Sequence, residues 1–335
     1  NSIRFDENLI RQRAGSKYSP RGSIIKCLLC KNFSTNIHYF CVLLCCFFHS
    51  TMYTDLINPL PKTINIKGTL FQFDSPKIMG IINLSPDSFF ENDAKKQESE
   101  LLKKVAEFID NGADIIDIGG SSTKPNSVLP SVKEELKRVV PALKSIRKRF
   151  SKTIISIDTA RNEVAREAIK YGADIVNDVS GGFNDDSLLE TVSNASCPYI
   201  LTHNVDHGIN NGLMDPSQNT IKELIRFFSQ KISELNDRGI YDIIIDPGFG
   251  FSKNTPQNYD IIKNFELLHI LDAPILVGVS RKSMIYNTLD KGAQDVLNGS
   301  SILHAFLISK NASIFRVHDV KEMNEVKKLW EVSFS

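Results

Sequence analysis

The sequence has 335 residues, of which 41% are hydrophobic and 24% charged, and it contains 18 glycines and 13 prolines. This is the composition of an ordinary globular enzyme, and it excludes a disordered chain, a fibrous protein and a membrane protein. With 40 basic and 39 acidic residues the net charge is +1, which excludes the strongly basic surface of a dedicated nucleic-acid-binding protein.

Residues 1–51 differ in composition from the rest of the chain. They hold seven basic and two acidic residues, so residues 52–335 hold 33 basic against 37 acidic ones. They also hold five of the six cysteines, which leaves Cys197 alone in the body and fits a reducing compartment. We therefore divide the chain into an N-terminal extension, residues 1–51, and one domain, residues 52–335.

The extension has several interpretations. Its apolar run, residues 39–48, is shorter than the roughly 20 residues that span a membrane. It resembles a signal peptide without the cleavage pattern, or an organelle transit peptide, and Cys27 with Cys30 could form half of a zinc site. Because Met52 precedes an ordinary segment, we favour upstream sequence outside the working protein. We expect a cytoplasmic protein that binds no membrane, or an organellar one if the extension is a targeting signal.

From residue 64 the sequence alternates apolar runs rich in Ile and Val with segments of helical periodicity. The runs are almost continuously apolar, as in parallel strands that helices cover on both faces. Eight of them occur, at residues 77–83, 114–120, 153–159, 174–180, 199–204, 242–248, 274–280 and 313–319. Eight such units favour a (β/α)8 TIM barrel, with a doubly wound open sheet as the alternative.

A further extended pair precedes the first barrel strand. The segments TINIK and TLFQFD flank Gly68, and they predict a β-hairpin. We expect this N-terminal hairpin to close the bottom of the barrel.

Polar side chains stand at the C-terminal ends of the predicted strands. These ends all open on one face of a barrel, where active sites assemble. The set consists of Asn83, Asp117, Asp158, Asn177, His203, Asp246, Ser280, Arg281, Lys282, Arg316 and His318. No dinucleotide fingerprint or P-loop accompanies them. We therefore expect one convergent site.

The charges of this set divide into two sides. Asp158, Asn177 and Asp246 either cap helices and pair within the rim, or accept from a ligand rich in N–H groups, because a buried carboxylate needs donors. The later strands carry the cations Arg281, Lys282 and Arg316 together with His318, and a barrel's phosphate site commonly lies there. A phosphorylated ligand is implied. We expect His203 to be structural.

Two glycine-bearing turns and one loop complete the pattern. The turns DVSGG (178–182) and DPGFGF (246–251) are either ordinary turns or places where backbone approaches a bound ring or anion. The segment IINLSPDSFF (81–90) includes Asn83, whose neutral oxygen suits a hard cation, followed by a loop with exposed aromatics.

The chain resembles the dihydropteroate synthases. MGIINLSPDSFF, DIGGSSTKP, SIDT, ADIVNDVSGG, DPGFGFSKN, GVSRKS and RVHDV occur in the order and spacing of that family, and the resemblance covers residues 65–331. The family makes 7,8-dihydropteroate and diphosphate from 6-hydroxymethyl-7,8-dihydropterin diphosphate and 4-aminobenzoate, in folate biosynthesis. The resemblance therefore implies a TIM-barrel transferase, a homodimer and a sulfonamide target, with no nucleic-acid partner.

The resemblance also implies the role of each site residue. For the pterin pocket it implies Asp158, Asn177, Asp246 and Lys282. For the diphosphate site it implies Asn83 acting through Mg²⁺, with Arg316 and His318. For the 4-aminobenzoate pocket it implies Phe89, Thr123, Lys124, Pro125, Phe251 and Ser283. The implied mechanism is dissociative: diphosphate leaves, the pterin methylene cation is stabilised by the ring and the anionic pocket, and the arylamine attacks.

Three departures from the family pattern leave alternatives open. Lys124 replaces an arginine of the second loop, Phe90 and its successors replace glycines of the first, and Thr202-His203-Asn204 replaces Met-His-Met. An inactive or weak pterin-binding paralogue is one alternative. A pterin-dependent methyltransferase is the other, although the cationic RKS and RVHD segments argue against it because a methyl donor needs no diphosphate site.

Overall fold

The computed structural model describes residues 62–84, 94–121, 130–182, 186–204, 214–215 and 219–334. The strands are β1 (Thr63–Ile66), β2 (Thr69–Gln72), β3 (Lys77–Asn83), β4 (Ile115–Gly119), β5 (Ile154–Asp158), β6 (Ile175–Asp178), β7 (Tyr199–Thr202), β8 (Ile243–Asp246), β9 (Leu276–Val277) and β10 (Ile314–Val317). The α-helices are α1 (Ala94–Asp110), α2 (Val132–Arg149), α3 (Asn162–Lys170), α4 (Asp186–Asn194), α5 (Thr220–Asp237), α6 (Thr255–Lys263), α7 (Ser283–Leu289), α8 (Leu297–Ile308) and α9 (Val320–Phe334). Short 3₁₀ helices span Phe265–Leu271 and Ala293–Asp295. The predicted boundary between residues 51 and 52 lies outside the described residues.

Strands β3 to β10 form a parallel barrel. Their order is β8-β7-β6-β5-β4-β3-β10-β9, and a parallel bridge between Ile245 and Ile275 joins the two outer strands. The predicted (β/α)8 barrel is therefore confirmed, and the open sheet is excluded. The strand predicted at 274–280 is shorter than expected: Pro274 has no N–H to donate, and its carbonyl instead accepts from the Ile245 N–H at 3.0 Å.

The predicted hairpin is also present. β1 and β2 pair antiparallel across Lys67 and Gly68, whose φ angles of 49° and 86° suit a tight two-residue turn. Ile64, Ile66 and Phe73 of this hairpin region are buried in one cluster with the innermost residues of the barrel strands. The hairpin therefore closes the end of the barrel opposite the C-terminal ends of the strands.

Inside the barrel, an apolar layer of side chains is followed by a mostly polar layer toward the C-terminal ends of the strands. An apolar layer, the barrel floor, comprises Met79, Ile115, Ile175, Ile200, Ile244, Leu276 and Ile314. Because side chains alternate across a strand, the residue two positions later faces the same interior. The polar residues among them are Asp117, Asn177, Thr202, Asp246 and Arg316, and Asp158 of β5 faces the interior beside Asn177, whereas β3 and β9 contribute Ile81 and Gly278. The sequence thus places a polar layer directly above the floor.

The helices pack around the barrel through apolar faces. The intervening strand residues, such as Ile116 and Ile118 of β4, belong to a second cluster that includes the buried faces of the helices. Helix α2 shows how the sequence fixes a helix start, because Ser131 and Glu134 form a capping box there. None of the described helices is long and apolar enough to cross a membrane.

Candidate active site

The centre of the polar layer is a buried ionic cluster. The Arg316 Nε donates to Asp117 Oδ2 at 2.6 Å, and a terminal guanidinium nitrogen donates to Asp158 Oδ2 at 2.5 Å. Asn177 Nδ2 donates to the same Asp117 oxygen at 3.2 Å. Although burial opposes its charge, the two carboxylates raise the pKa of Arg316. One cation therefore joins residues of β4, β5 and β10 inside the barrel.

The carboxylates of this layer are incompletely compensated. Burial raises the pKa of Asp158 to about 7, because the favourable charge of Arg316 does not offset desolvation and the neighbouring Asp117. Burial also raises the pKa of Asp246, whose Oδ1 accepts from the Gly248 N–H at 2.7 Å. Both groups would gain stabilisation from further N–H donors. Asp158 and Asn177 are paired in register on β5 and β6, so their side chains face the interior side by side.

Lys282 approaches this layer from the loop between β9 and α7. Its Nζ lies 4.3 Å from the centroid of the Phe251 ring, in a cation–π contact. Burial and the Arg316 charge lower the pKa of Lys282 to about 8. The lysine therefore stands between the carboxylates and the ring of Phe251, where it can donate to a bound heterocycle.

A small cavity of about 50 Å³ opens beside Arg316 and is lined by Ile81, Asn83, Gly278, Ser280, Lys282, Arg316 and His318. The lining contains two cations and no carboxylate. His318 lies at its exposed rim, with Nδ1 3.3 Å from Ser280 Oγ. The cavity thus has the charge that an anion requires, which agrees with the cationic side predicted from the sequence.

Arg281 does not take part in that cationic side. Its Nε and a terminal nitrogen donate to the two Asp319 oxygens at 2.9 and 2.7 Å, and its backbone adopts a φ of 56°. The bidentate pair ties the loop after β9 to the start of α9. The expectation that Arg281 joins the anion site is therefore corrected.

The other predicted residues have the following places. Ser283 is the half-buried first residue of α7 and does not line the cavity. His203 is buried and packs edge-on against Phe227 at 4.7 Å between ring centroids, on the helix side of β7. Phe89, Thr123, Lys124 and Pro125 lie outside the described residues.

The turn at 178–182 is held by its own carboxylate. Asp178 accepts from the Ser180 N–H at 2.8 Å, from the Gly182 N–H at 3.2 Å and from the Tyr199 hydroxyl at 2.5 Å. The interpretation of DVSGG as an ordinary turn therefore has a structural basis. The preceding residue, Asn177, faces the interior.

Two residues that organise this site had no role in the sequence analysis. Asp117 was noted only as a strand end, yet it holds both Arg316 and Asn177. Lys253 is buried, and its Nζ donates to three backbone carbonyls around the turn after β8. The alternation in DIIDIGG could have placed Asp117 inside the barrel. For Lys253 the only local signal is a lysine that directly follows the glycine- and phenylalanine-rich turn GFGF (248–251) and Ser252.

The described residues offer little to a resident metal ion. No three His, Cys, Asp or Glu side chains within the described ranges form a group that could hold one. Asn83 offers one neutral oxygen, and the cations beside it disfavour a free divalent ion. A metal that arrives with a diphosphate fits better, because Mg²⁺ commonly keeps waters and binds through substrate phosphates.

Comparisons with known proteins agree with this chemistry. A family model described as pterin binding enzyme matches residues 79–318. The dihydropteroate synthase of Escherichia coli (strain K12) is 36% identical over 271 residues, which cover 80% of this chain and 95% of that protein. The dihydropteroate synthase of Clostridium beijerinckii is 39% identical over 258 residues, which cover 76% and 93%. The solved structure of Xanthomonas albilineans dihydropteroate synthase with 4-aminobenzoic acid matches with a TM-score of 0.74 and 29% identity, over 82% of this chain and 98% of that one.

Proposed function

This chain belongs to the dihydropteroate synthases, a family of pterin-binding enzymes, and from that premise we propose which of its residues carry out the reaction. It is a transferase of folate synthesis that moves a pterinylmethyl group from 6-hydroxymethyl-7,8-dihydropterin diphosphate to 4-aminobenzoate. The observation that carries the assignment of residues is the buried cluster in which Arg316 bridges Asp117 and Asp158.

The heterocycle binds in the polar layer above the barrel floor. Asp158, Asp246 and Asn177 accept from its amino and ring N–H groups, and Lys282 donates to its acceptors. Desolvation raises the pKa of the buried Asp158 and Asp246 carboxylates, so N–H donors from a ligand would stabilise their ionised forms. This supports the placement of the heterocycle's N–H groups against them.

Substrate binding rearranges Arg316. A terminal nitrogen of this residue donates to Asp158 Oδ2, the oxygen that the heterocycle needs. The heterocycle takes over Asp158, while Asp117 keeps the guanidinium in place through Nε. The released N–H groups then face the cavity lined by Asn83 and His318, where the diphosphate binds.

Mg²⁺ accompanies the diphosphate. Asn83 would hold the ion through its side-chain oxygen, and the phosphates of the substrate would supply further ligands. When bound, the ion neutralises charge on the leaving diphosphate. No carboxylate lines the cavity, so a metal would bind there weakly without the substrate.

The chain's residues support a dissociative displacement. The bond between the methylene carbon and the diphosphate oxygen breaks, and its electron pair goes to the diphosphate, whose charge Arg316 and Lys282 stabilise. Asp158 and Asp246 stabilise the positive pterin methylene. The amine nitrogen of 4-aminobenzoate then forms the new bond and loses a proton to solvent, and no covalent bond to the enzyme forms.

One assay tests the function and its alternatives together. Purified protein is incubated with Mg²⁺, the pterin diphosphate and radiolabelled 4-aminobenzoate, and labelled pteroate is measured. Labelled product is the expected result. Tight pterin binding with no product would indicate an inactive paralogue. With a methylated folate and a corrinoid added to the same mixture, methyl transfer without pteroate formation would indicate a methyltransferase.

The second substrate binds near Phe251 and Ser283. We assign 4-aminobenzoate to a subsite formed by these residues together with Phe89, Thr123, Lys124 and Pro125. Sulfonamides carry an aryl amine of similar shape, so they should compete with 4-aminobenzoate. Initial rates at several sulfonamide and 4-aminobenzoate concentrations measure this, and inhibition that excess 4-aminobenzoate does not relieve would contradict the assignment.

The enzyme forms a homodimer through helices α8 and α9. Helix α8 exposes large apolar side chains: Ile302 and Phe306, one turn apart, are 47% and 55% exposed. On the neighbouring α9, Leu329 and Val332 are 71% and 84% exposed. An exposed apolar patch of this kind marks an interaction surface, and two copies of this surface would cover each other.

Light scattering after size-exclusion chromatography tests the dimer. Wild type should elute as a dimer, and Phe306→Asp should be a folded monomer. Tyr241→Asp is the matched control, because Tyr241 is 74% exposed on the loop before β8 rather than on α8 or α9. A monomeric wild type, or a dimeric Phe306→Asp, would refute this interface.

A further inference from the structure

Lys253 has an unusual set of partners for a buried lysine. Its Nζ donates to the carbonyl oxygens of His203 at 3.1 Å, Gly248 at 3.1 Å and Phe251 at 3.2 Å. The residue is 6% exposed, and it forms no ion pair with a carboxylate of the described ranges. An ammonium group has three N–H donors, and here each donor has one backbone acceptor.

These bonds fasten the turn after β8 to the end of β7. The approach is close: a Cβ on Gly248 would lie 2.1 Å from the His203 carbonyl oxygen, and Gly248 has a φ of 71°. Glycine therefore permits the two carbonyls to share one ammonium group. Burial lowers the pKa of Lys253 to about 7, which indicates that desolvation of this charge outweighs the attraction of Asp246.

The fastened turn sets two side chains of the pterin site. The Gly248 N–H donates to Asp246 Oδ1 at 2.7 Å, so the turn orients that carboxylate. At the other end, the Phe251 ring supports Lys282 Nζ at 4.3 Å, and a Cβ on Gly250 would lie 3.0 Å from Lys282 Cδ. Lys253 touches neither the cavity nor the ionic cluster of Arg316.

We propose that Lys253 is a positioning residue for heterocycle binding: its ammonium group fixes the 248–251 turn, which in turn fixes Asp246 and Lys282. The role rests on the proposed function, because it concerns the affinity of the same pterin pocket. It predicts that loss of the ammonium group weakens pterin binding although the residue lies outside contact range of the ligand site.

Lys253→Ala and Lys253→Met test this role by isothermal titration with 6-hydroxymethylpterin. We expect the Kd to rise at least tenfold in both, at a temperature well below their unfolding midpoints. Propylammonium has the size of the atoms missing in Lys253→Ala, so it should restore pterin affinity saturably, whereas 1-propanol should not. Lys170→Met, on the exposed side of α3, is the matched control and should bind as wild type does.

Each outcome decides between the possibilities. Folded Lys253 variants that bind pterin within threefold of wild type would overturn the positioning role. If neither variant folds, Lys253→Gln, which keeps N–H donors but no charge, replaces them, and a Kd within threefold of wild type there would overturn the role. A wild-type protein that binds no pterin would instead refute the proposed function.

Discussion

Replacement of Asp158 by asparagine separates the affinity of the site from the stability of the fold. The side chain is buried and accepts from Arg316 at 2.5 Å, while Arg316 keeps a second bond to Asp117 at 2.6 Å. Asparagine has the size of the neutral acid. The substitution therefore removes a charge from the pterin pocket without opening a cavity.

The stability effect follows from the pKa of this group. Burial raises the pKa of Asp158 from 3.8 to about 7, so the folded state holds its proton more tightly than the unfolded state does. The ionised group destabilises the fold increasingly as the pH rises from about 4 to about 7, and the effect is complete above that range. Asp158→Asn should therefore be at least as stable as wild type at pH 8.

The affinity effect has the opposite sign. A hydrogen bond to a charged group contributes about 1.5–3 kcal/mol. Asparagine keeps one oxygen acceptor and replaces the other with an NH2 group, so loss of one such bond to the heterocycle corresponds to an increase in Kd of about 10 to 10². The exposed Asp237→Asn on α5 is the control variant and should change neither quantity.

Isothermal titration with 6-hydroxymethylpterin measures the affinity, and thermal unfolding at pH 6 and pH 8 measures the stability. We expect weak binding with an unfolding midpoint at pH 8 that is equal to or above that of wild type. Unchanged pterin affinity would show that the pocket is misassigned. A large loss of stability at pH 8 would show that the Asp158 charge supports the fold, contrary to the reasoning above.

Three further predictions concern neighbouring residues. Arg316→Ala should weaken binding of the diphosphate-bearing substrate far more than binding of free pterin, because its cationic groups face the cavity; equal losses in titrations of the two ligands would contradict that subsite. Lys282 has a pKa of about 8, so pterin affinity should fall as the pH rises through 8 and its ammonium group loses a proton. That alkaline limb should be absent from the pH profile of Lys282→Met. The buried Thr202 hydroxyl has no hydrogen-bond partner among the described residues, so Thr202→Val should raise the free energy of unfolding by about 1 kcal/mol in urea titrations; a loss of more than that would indicate a partner that this reasoning lacks.

The sequence alone determined the barrel and the residues that face its interior. Almost continuously apolar runs predicted each strand, and the alternation of side chains along a strand then predicts that Asp117, Asp246 and Arg316 share one face with the floor residues two positions earlier. Such patterns are local, because the side-chain direction depends on the strand that carries the residue. The order and spacing of the sequence motifs indicated the family, and the comparisons with known proteins confirmed it.

The tertiary structure decided which of these residues meet. Arg316 on β10 and Arg281 after β9 are both cations of the late strands, yet Arg316 bridges two interior carboxylates and Arg281 pairs with Asp319 outside the cavity. Arg316 is separated from Asp117 by 199 positions, and no local period encodes that contact. The three carbonyls that hold Lys253 likewise come together only when the turn after β8 folds onto the end of β7. Which side chains form a hydrogen bond or an ion pair depends on the distances between strands, and these distances are set only when the barrel closes.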